Sequence, residues 1–296
     1  MVQSRSFGDR AFNVALYSAL ALLALTCLLP FLHMVAVSLS GKTPILARQV
    51  GIVPLDFTLE NYQFLLRNRQ VLGSAAISVV RVSLSVPLTL LVSSLAAYAL
   101  SRDHIYMPGR GAFKVVLIFF MLFSGGLIPM LYTIRSLGLY NNFLVLVVPG
   151  LFNIGNTILL MNYFRGLPRE LEDAAVMDGA SHLQVLFQVM IPLSLPVIAT
   201  LVLFDAIGAW NDWFTGVLYL QRQELWPLQT YLYRLINEQG GVGREALRDV
   251  TDKFRNATPA GLKAALLLSA ALPILCIYPL LQRYFVTGLR LGAVKE

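Results

Sequence analysis

Six apolar runs punctuate this chain, at about Phe12–Val37, Ser74–Leu100, Val115–Ile134, Phe143–Tyr163, Leu193–Leu220 and Leu262–Phe285. Each approaches or exceeds the roughly 20 residues that a helix needs to cross a bilayer. Hydrocarbon offers no partner to a backbone N–H or C=O, so such runs are stable there only as helices, which pair these groups internally. The composition agrees: 57% of the residues are hydrophobic and only 13% charged, against about 25% charged in an ordinary soluble domain. The mean hydropathy is +0.67. The expected fold is an all-α integral membrane protein of six transmembrane helices, read as one transmembrane domain over residues 1–296. Arg5 and Arg10 precede the first run as they would in a signal peptide. That run outlasts the usual h-region of about 7–15 residues and no small-x-small cleavage site follows, so it is read as a retained span.

The net charge is +7. Because the charges lie between the apolar runs, they fit solvated loops and lipid headgroups rather than a nucleic-acid surface. They do not orient the chain. With the termini inside, ten Lys and Arg fall inside and twelve outside, leaving Arg81 within the membrane. Cys27 and Cys276 sit within apolar runs, where packing roles are expected. His33, His104 and His182 are scattered, so no His-based metal site is suggested. A membrane enzyme would need clustered His, paired carboxylates or a metal-binding set, and none appears; the expectation is no catalytic, cofactor or metal residues. A secondary transporter would show inverted repeats and broken helices around a midplane site. No convincing repeat is visible.

The octapeptide AVSLSGKT at Ala36–Thr43 has the loose spacing of a phosphate-binding loop. A real one needs a strand before it and a helix after it, so that loop amides and the helix N-terminus cradle the phosphates. Here a membrane helix precedes it, and Pro44 argues for a turn rather than a helix through Thr43. The chain is not expected to bind ATP.

Two segments between spans have character of their own. Ser38–Gly73 contains VPLDFTLENYQFLL, expected to fold on the membrane surface. In Gln221–Gly261, Leu228, Leu232, Leu235 and Ile236 fall near helical spacing and suggest an amphipathic helix, followed by the polar GREALRDVTDKFRNA.

Between the fourth and fifth runs, residues 164–192 carry the most informative stretch, FRGLPRELEDAAVMDGASHLQVLFQVMIP. Pro168 suits a helix start, and Glu170, Glu172 and Asp173 place negative charge where the helix dipole favours it. Gly179 after Asp178 suits a left-handed C-cap. Leu171, Ala174, Ala175 and Asp178 follow i, i+3, i+4, i+7 spacing and share a face. Two alanines there allow another surface close approach, and the carboxylates can meet Arg or Lys. An ordinary connecting helix would also use Glu and Ala, as good helix formers.

The order of residues adds to this. DAAVMDGA, then Phe187, Ile191–Pro192 and Pro196, resembles the EAA loop of ABC importer permeases, at the expected place between the fourth and fifth of six spans. AAYALSR (Ala96–Arg102), SGGLIPMLYTIRSLGLYNN (Ser124–Asn142), WNDWF (Trp210–Phe214), PLQTYLYRLI (Pro227–Ile236) and ALPILCIYPLLQRYFVTGL (Ala271–Leu289) are similar to carbohydrate-importer permeases of the maltose type. GGLIP and YPLLQRYF resemble the oligo- and polysaccharide branch with aldouronate- and alginate-type importers.

This resemblance implies a type I ABC importer permease fold in the bacterial cytoplasmic membrane, with both termini cytoplasmic. It implies a second permease, two cytoplasmic ATPase subunits that bind ATP and Mg, an extracytoplasmic binding protein and a saccharide substrate. It makes 164–192 the coupling loop, with Leu171, Glu172, Asp173, Ala174, Ala175, Asp178 and Gly179 toward the ATPase. One departure is that the motif's glutamate is Asp173, one methylene shorter, which leaves open whether Glu172 substitutes.

Ionisable groups inside spans are expensive and tend to face a cavity or a partner. Arg81 lies in the second span, and Asp205 and Asp212 in the fifth. Pairing of Arg81 with Asp205 is the structural expectation. The candidate substrate path is Tyr132, Trp210, Asn211, Asp212, Trp213 and Arg81, since sugars are bound by aromatic faces with amides and carboxylates. An interfacial aromatic belt is the alternative for the tryptophans. An anionic sugar would favour Arg81 or Arg135 over Asp212.

Overall fold

The computed structural model describes residues 7–103, 106–237 and 257–293. In chain order its α-helices are α1 (Phe7–Ser38), α2 (Lys42–Leu46), α3 (Glu60–Arg67), α4 (Arg69–Ser101), α5 (Arg110–Leu122), α6 (Leu127–Ser136) and α7 (Ile154–Gly166). Then come α8 (Arg169–Met177), α9 (His182–Val185), α10 (Ile191–Leu193), α11 (Leu195–Asn211), α12 (Phe214–Tyr219), α13 (Leu228–Asn237) and α14 (Pro259–Ala293). Short 3₁₀ turns at Phe143–Leu146 and Val148–Gly150 precede α7, and a π turn at Leu186–Met190 joins α9 to α10.

All six apolar runs are largely helical, but not all are straight. Gly8–Ser38, Arg69–Ser101, Phe143–Gly166 and Pro259–Ile277 are each long and apolar enough to cross a membrane. The third run, expected as one rod over 115–134, bends by 117° between α5 and α6. Its break is FSGG: glycine in a helix costs about 1 kcal/mol relative to alanine, and Gly126 takes φ +85°, which other residues resist. The fifth run, expected over 193–220, meets the preceding helical segment His182–Leu193 at 84° and ends at Asn211, with α12 beyond. Pro192 and Pro196 flank that corner, and prolines are poor continuers of a helix.

Two compact units divide the chain, the first made of 1–72 and 234–271, the second of 73–233 and 272–296. In the first, the 38–73 stretch is tied down by α3. Phe64 and Leu65 are buried, and Asn61 donates from Nδ2 to the Ser38 carbonyl at 2.9 Å while its Oδ1 accepts from Thr258 N–H. Gly261 is required there, because a Cβ would stand 2.6 Å from Asn61 Nδ2. At the GKT triplet the expected turn is corrected: Thr43 and Pro44 lie inside α2, with Pro44 in the first turn, where a missing N–H costs nothing. The element before it is α1, a helix. Gly41 instead serves a close loop crossing, donating to the Leu55 carbonyl at 3.0 Å with Asp56 against its Cα.

In the second unit a buried cluster joins the end of α4 (Ala97, Tyr98), α7 (Leu160, Phe164) and the α9–α10 segment (Val185, Leu186, Met190) to Leu201 of α11. Residues 164–192 are therefore packed onto the helices rather than hung from them. In α13 the buried face is Leu228, Tyr231, Leu232 and Leu235, while Ile236 turns outward, 40% exposed, contrary to its expected place on that face. The following GREALRDVTDKFRNA stretch lies outside the described residues up to Ala257. Cys27 and Cys276 are both exposed rather than packed.

Candidate functional site

The 164–192 segment folds as a helix, a glycine turn and a second helix. Pro168 caps α8, whose first turn carries Glu170 and Glu172. Gly179 has φ +88°, and two bonds close the turn: Gly179 N–H to the Val176 carbonyl and Ala180 N–H to the Ala175 carbonyl, both 2.9 Å. That pair of bonds is a Schellman motif. Ser181 then opens α9 with a capping box, exchanging hydrogen bonds with Gln184.

The two faces of α8 differ sharply. Glu172 is 1% exposed and points into the protein. Tyr98 donates from its hydroxyl to Glu172 Oε1 at 2.7 Å. Arg102 Nε stands 2.7 Å from Oε2, an ion pair whose N–H is misdirected for a hydrogen bond, so the attraction is coulombic. The same guanidinium reaches Met190 Sδ from its Nη2 at 3.2 Å. Ala175 packs on the buried cluster. The outward face carries Leu171, Asp173, Ala174, Val176, Met177 and Asp178, with Met177 87% exposed. Leu183 and Phe187 extend that apolar surface past the turn.

Beside Arg102 the α4–α5 connection has its own charges. Asp103 accepts from Lys114 Nζ at 3.3 Å and lies 3.6 Å from Arg110. The hydrogen bond from Lys114 and its charge hold the Asp103 carboxyl below the usual carboxylate range.

Deeper in the spans, Arg81 pairs with Asp212, not with Asp205 as expected. Its Nη2 is 2.5 Å from Asp212 Oδ2 and its Nη1 donates to the Asp212 carbonyl at 3.2 Å. Asp212 Oδ1 accepts from Thr215 N–H at 3.1 Å and so caps α12. Asp205 instead accepts from Asn156 Nδ2 at 2.7 Å. Seven residues of helix separate the two aspartates by about 10 Å, and the level of Arg81 on α4 matches the second.

A model of the family described as "binding-protein-dependent transport system inner membrane component" matches residues 66–291. The chain belongs to that family. It is a permease subunit of an ATP-binding-cassette importer, not an enzyme. The permease is 34% identical over 289 residues to the polygalacturonan/rhamnogalacturonan transport system permease of Bacillus subtilis, covering 97% of this chain and 99% of that one. It is 36% identical to the protein LplC of the same organism, covering 97% and 95%. Among solved structures, a bacterial ABC transporter that imports the acidic polysaccharide alginate superposes with a TM-score of 0.85 at 30% identity, covering 95% and 98% of the two chains.

The permease disperses the WNDW residues of the candidate path. Trp210 lines an apolar cavity with Val79, Val82, Leu203 and Ile207. Asn211 Oδ1 accepts from Gln229 Nε2 at 3.4 Å. Trp213 stacks on Tyr233, rings 4.1 Å apart and 8° from parallel. Tyr132 on α6 is 68% exposed. Arg81 and Asp212 meet in the ion pair described above. On α8 Leu171, Ala174 and Asp178 are exposed, while Glu172 is buried and Ala175 packs on the buried cluster. Val176 and Met177, which the sequence reading did not single out, are also exposed on α8.

Proposed function

We propose that the permease forms, with a second homologous permease, the membrane path for an oligo- or polysaccharide. Two cytoplasmic ATPase subunits bind the ATP and Mg, an extracytoplasmic protein delivers the sugar, and both termini lie in the cytoplasm. The saccharide class is supported by the polygalacturonan/rhamnogalacturonan transport of the 34% identical relative and the alginate import of the structural neighbour. The coupling role is carried by one observation: α8 presents Leu171, Ala174, Met177 and Asp178 outward while Glu172 is clamped beneath by Tyr98 and Arg102.

That arrangement suits a push or pull at the cytoplasmic face. The small side chain of Ala174 and a flexible Met177 let an ATPase cleft close around α8, and Asp173 and Asp178 can meet its cations. Displacement of α8 passes through Glu172 to α4, a continuous helix of 33 residues, and through the buried cluster to α7 and α11. Arg81 lies 21 residues up α4 from Arg102, or about 32 Å at 1.5 Å per residue.

The test is disulfide trapping in the assembled importer. Met177→Cys, paired with cysteines along the ATPase cleft, should crosslink in a manner that changes with ATP, while a cysteine at buried Ala97 should not. Equal or absent crosslinking at both positions would show that this face does not dock.

A further inference from the structure

A polar cavity of about 410 Å³ lies within the second unit, at the depth of the spans. That size falls in the range of about 300–1,000 Å³ usual for small-molecule sites. Arg81, Thr89, Asn153, Asn156, Asp205 and Asp212 supply its polar lining. Its exposed lining residues are Gly150, Phe204 and Gly208. Polar groups facing hydrocarbon at this depth are costly, so the opening faces water or protein rather than lipid.

We propose that this cavity holds one ring of the transported saccharide by its hydroxyls and contains no receptor for a carboxylate. The inference rests on the saccharide reading above and adds the residues and the chemistry of recognition. The hydroxyl-reading capacity is specific. Arg81 Nε is a buried donor without a partner, Asp205 has a carboxylate oxygen beyond the one Asn156 occupies, and Thr89 spends only its donor, on the Gly150 carbonyl at 3.2 Å. A sugar hydroxyl both donates and accepts, so the hydroxyls of one ring can accept from the first group and donate to the other two.

Charge decides the other half. Among the described residues the lining has one cation, Arg81, and Asp212 already accepts from both of its terminal nitrogens, at 2.5 and 3.2 Å, so its charge is compensated. Asp205 adds no positive charge in either protonation state. A uronic acid therefore gains nothing here over the neutral sugar, and an acidic substrate would have its charge read by another subunit.

The test uses the whole importer in nanodiscs without its binding protein, probed by saturation-transfer NMR with galactotriose and with trigalacturonic acid. Uptake of both labelled probes into proteoliposomes containing the binding protein runs alongside. Galactotriose should give a transfer signal at least as strong as the uronide. Asn156→Ala and Thr89→Val should each reduce it at least threefold, with Cys27→Ser as the neutral control. Asp212→Asn frees the Arg81 cation and should shift the ratio at least fivefold toward trigalacturonic acid; co-purification of the ATPase subunits confirms assembly of each variant.

A stronger wild-type signal from the uronide, or galactotriose signals unchanged in both Asn156→Ala and Thr89→Val while uptake continues, would overturn the cavity assignment alone. Absence of uptake and of signal for both probes would overturn the saccharide reading with it.

Discussion

Arg102 at the end of α4 and Glu172 on α8 form a buried ion pair, 2.7 Å apart with side chains 3% and 1% exposed. Removing one member of such a pair costs about 3–5 kcal/mol, because the other charge stays buried. Glu172→Ala should therefore loosen α8 and reduce substrate-stimulated ATP turnover at least tenfold in proteoliposomes. Replacing both, as Arg102→Met with Glu172→Leu, should recover thermal stability to near wild type, since apolar pairs often substitute without loss. If Glu172→Ala keeps full stimulated turnover, the clamp is not part of coupling.

Two neighbouring alanines should behave differently. Ala174 is exposed and Ala175 packs on the buried cluster. Ala174→Trp should release the ATPase subunits or abolish stimulated turnover while the permease stays folded. Ala175→Trp overpacks the interior, at about 1–3 kcal/mol, and should lower the thermal midpoint as well. Co-purification and a thermal melt on each variant separate the cases. Equal melts would remove the assigned faces.

Gly179 closes the turn at φ +88° with nothing within 4 Å of where a Cβ would go. The cost of substitution is therefore backbone strain without a clash, about 1–2 kcal/mol for a side chain in the left-handed region. Gly179→Val should impair coupling more than Gly179→Asn, because Asn visits that region more readily. Stimulated ATP turnover ranks the two, and the reverse order would mean that the turn has another conformation.

Lys42→Ala should leave ATP turnover by the reconstituted complex within twofold of wild type. Gly41 is packed against Asp56 and α1, a helix, precedes it, which does not suit the backbone cradle of a nucleotide site. A loss as large as that from disabling an ATPase subunit, with assembly intact, would reverse this conclusion.

The apolar helical runs, the class of the protein and the helix–glycine–helix form of residues 164–192 were legible in the sequence. These are local properties: apolar run length decides membrane insertion, and caps such as Pro168, Gly179 and Ser181 act within one or two turns. What tertiary structure decided was direction and partnership. Glu172 and Asp173 are adjacent carboxylates on one short helix, and only the seating of α8 on Tyr98 and Arg102 sends the first inward and leaves the second outside. Arg81 could have met Asp205 or Asp212, and the choice depends on how far α4 is slid along α11, a register that no local pattern encodes. The same holds for WNDW, whose four residues point to different neighbours because α11 ends at Asn211 and the chain is non-helical at Asp212 and Trp213. Helix and membrane are written along the chain, whereas a buried contact is a relation between segments far apart in it, set by the packing of the whole unit.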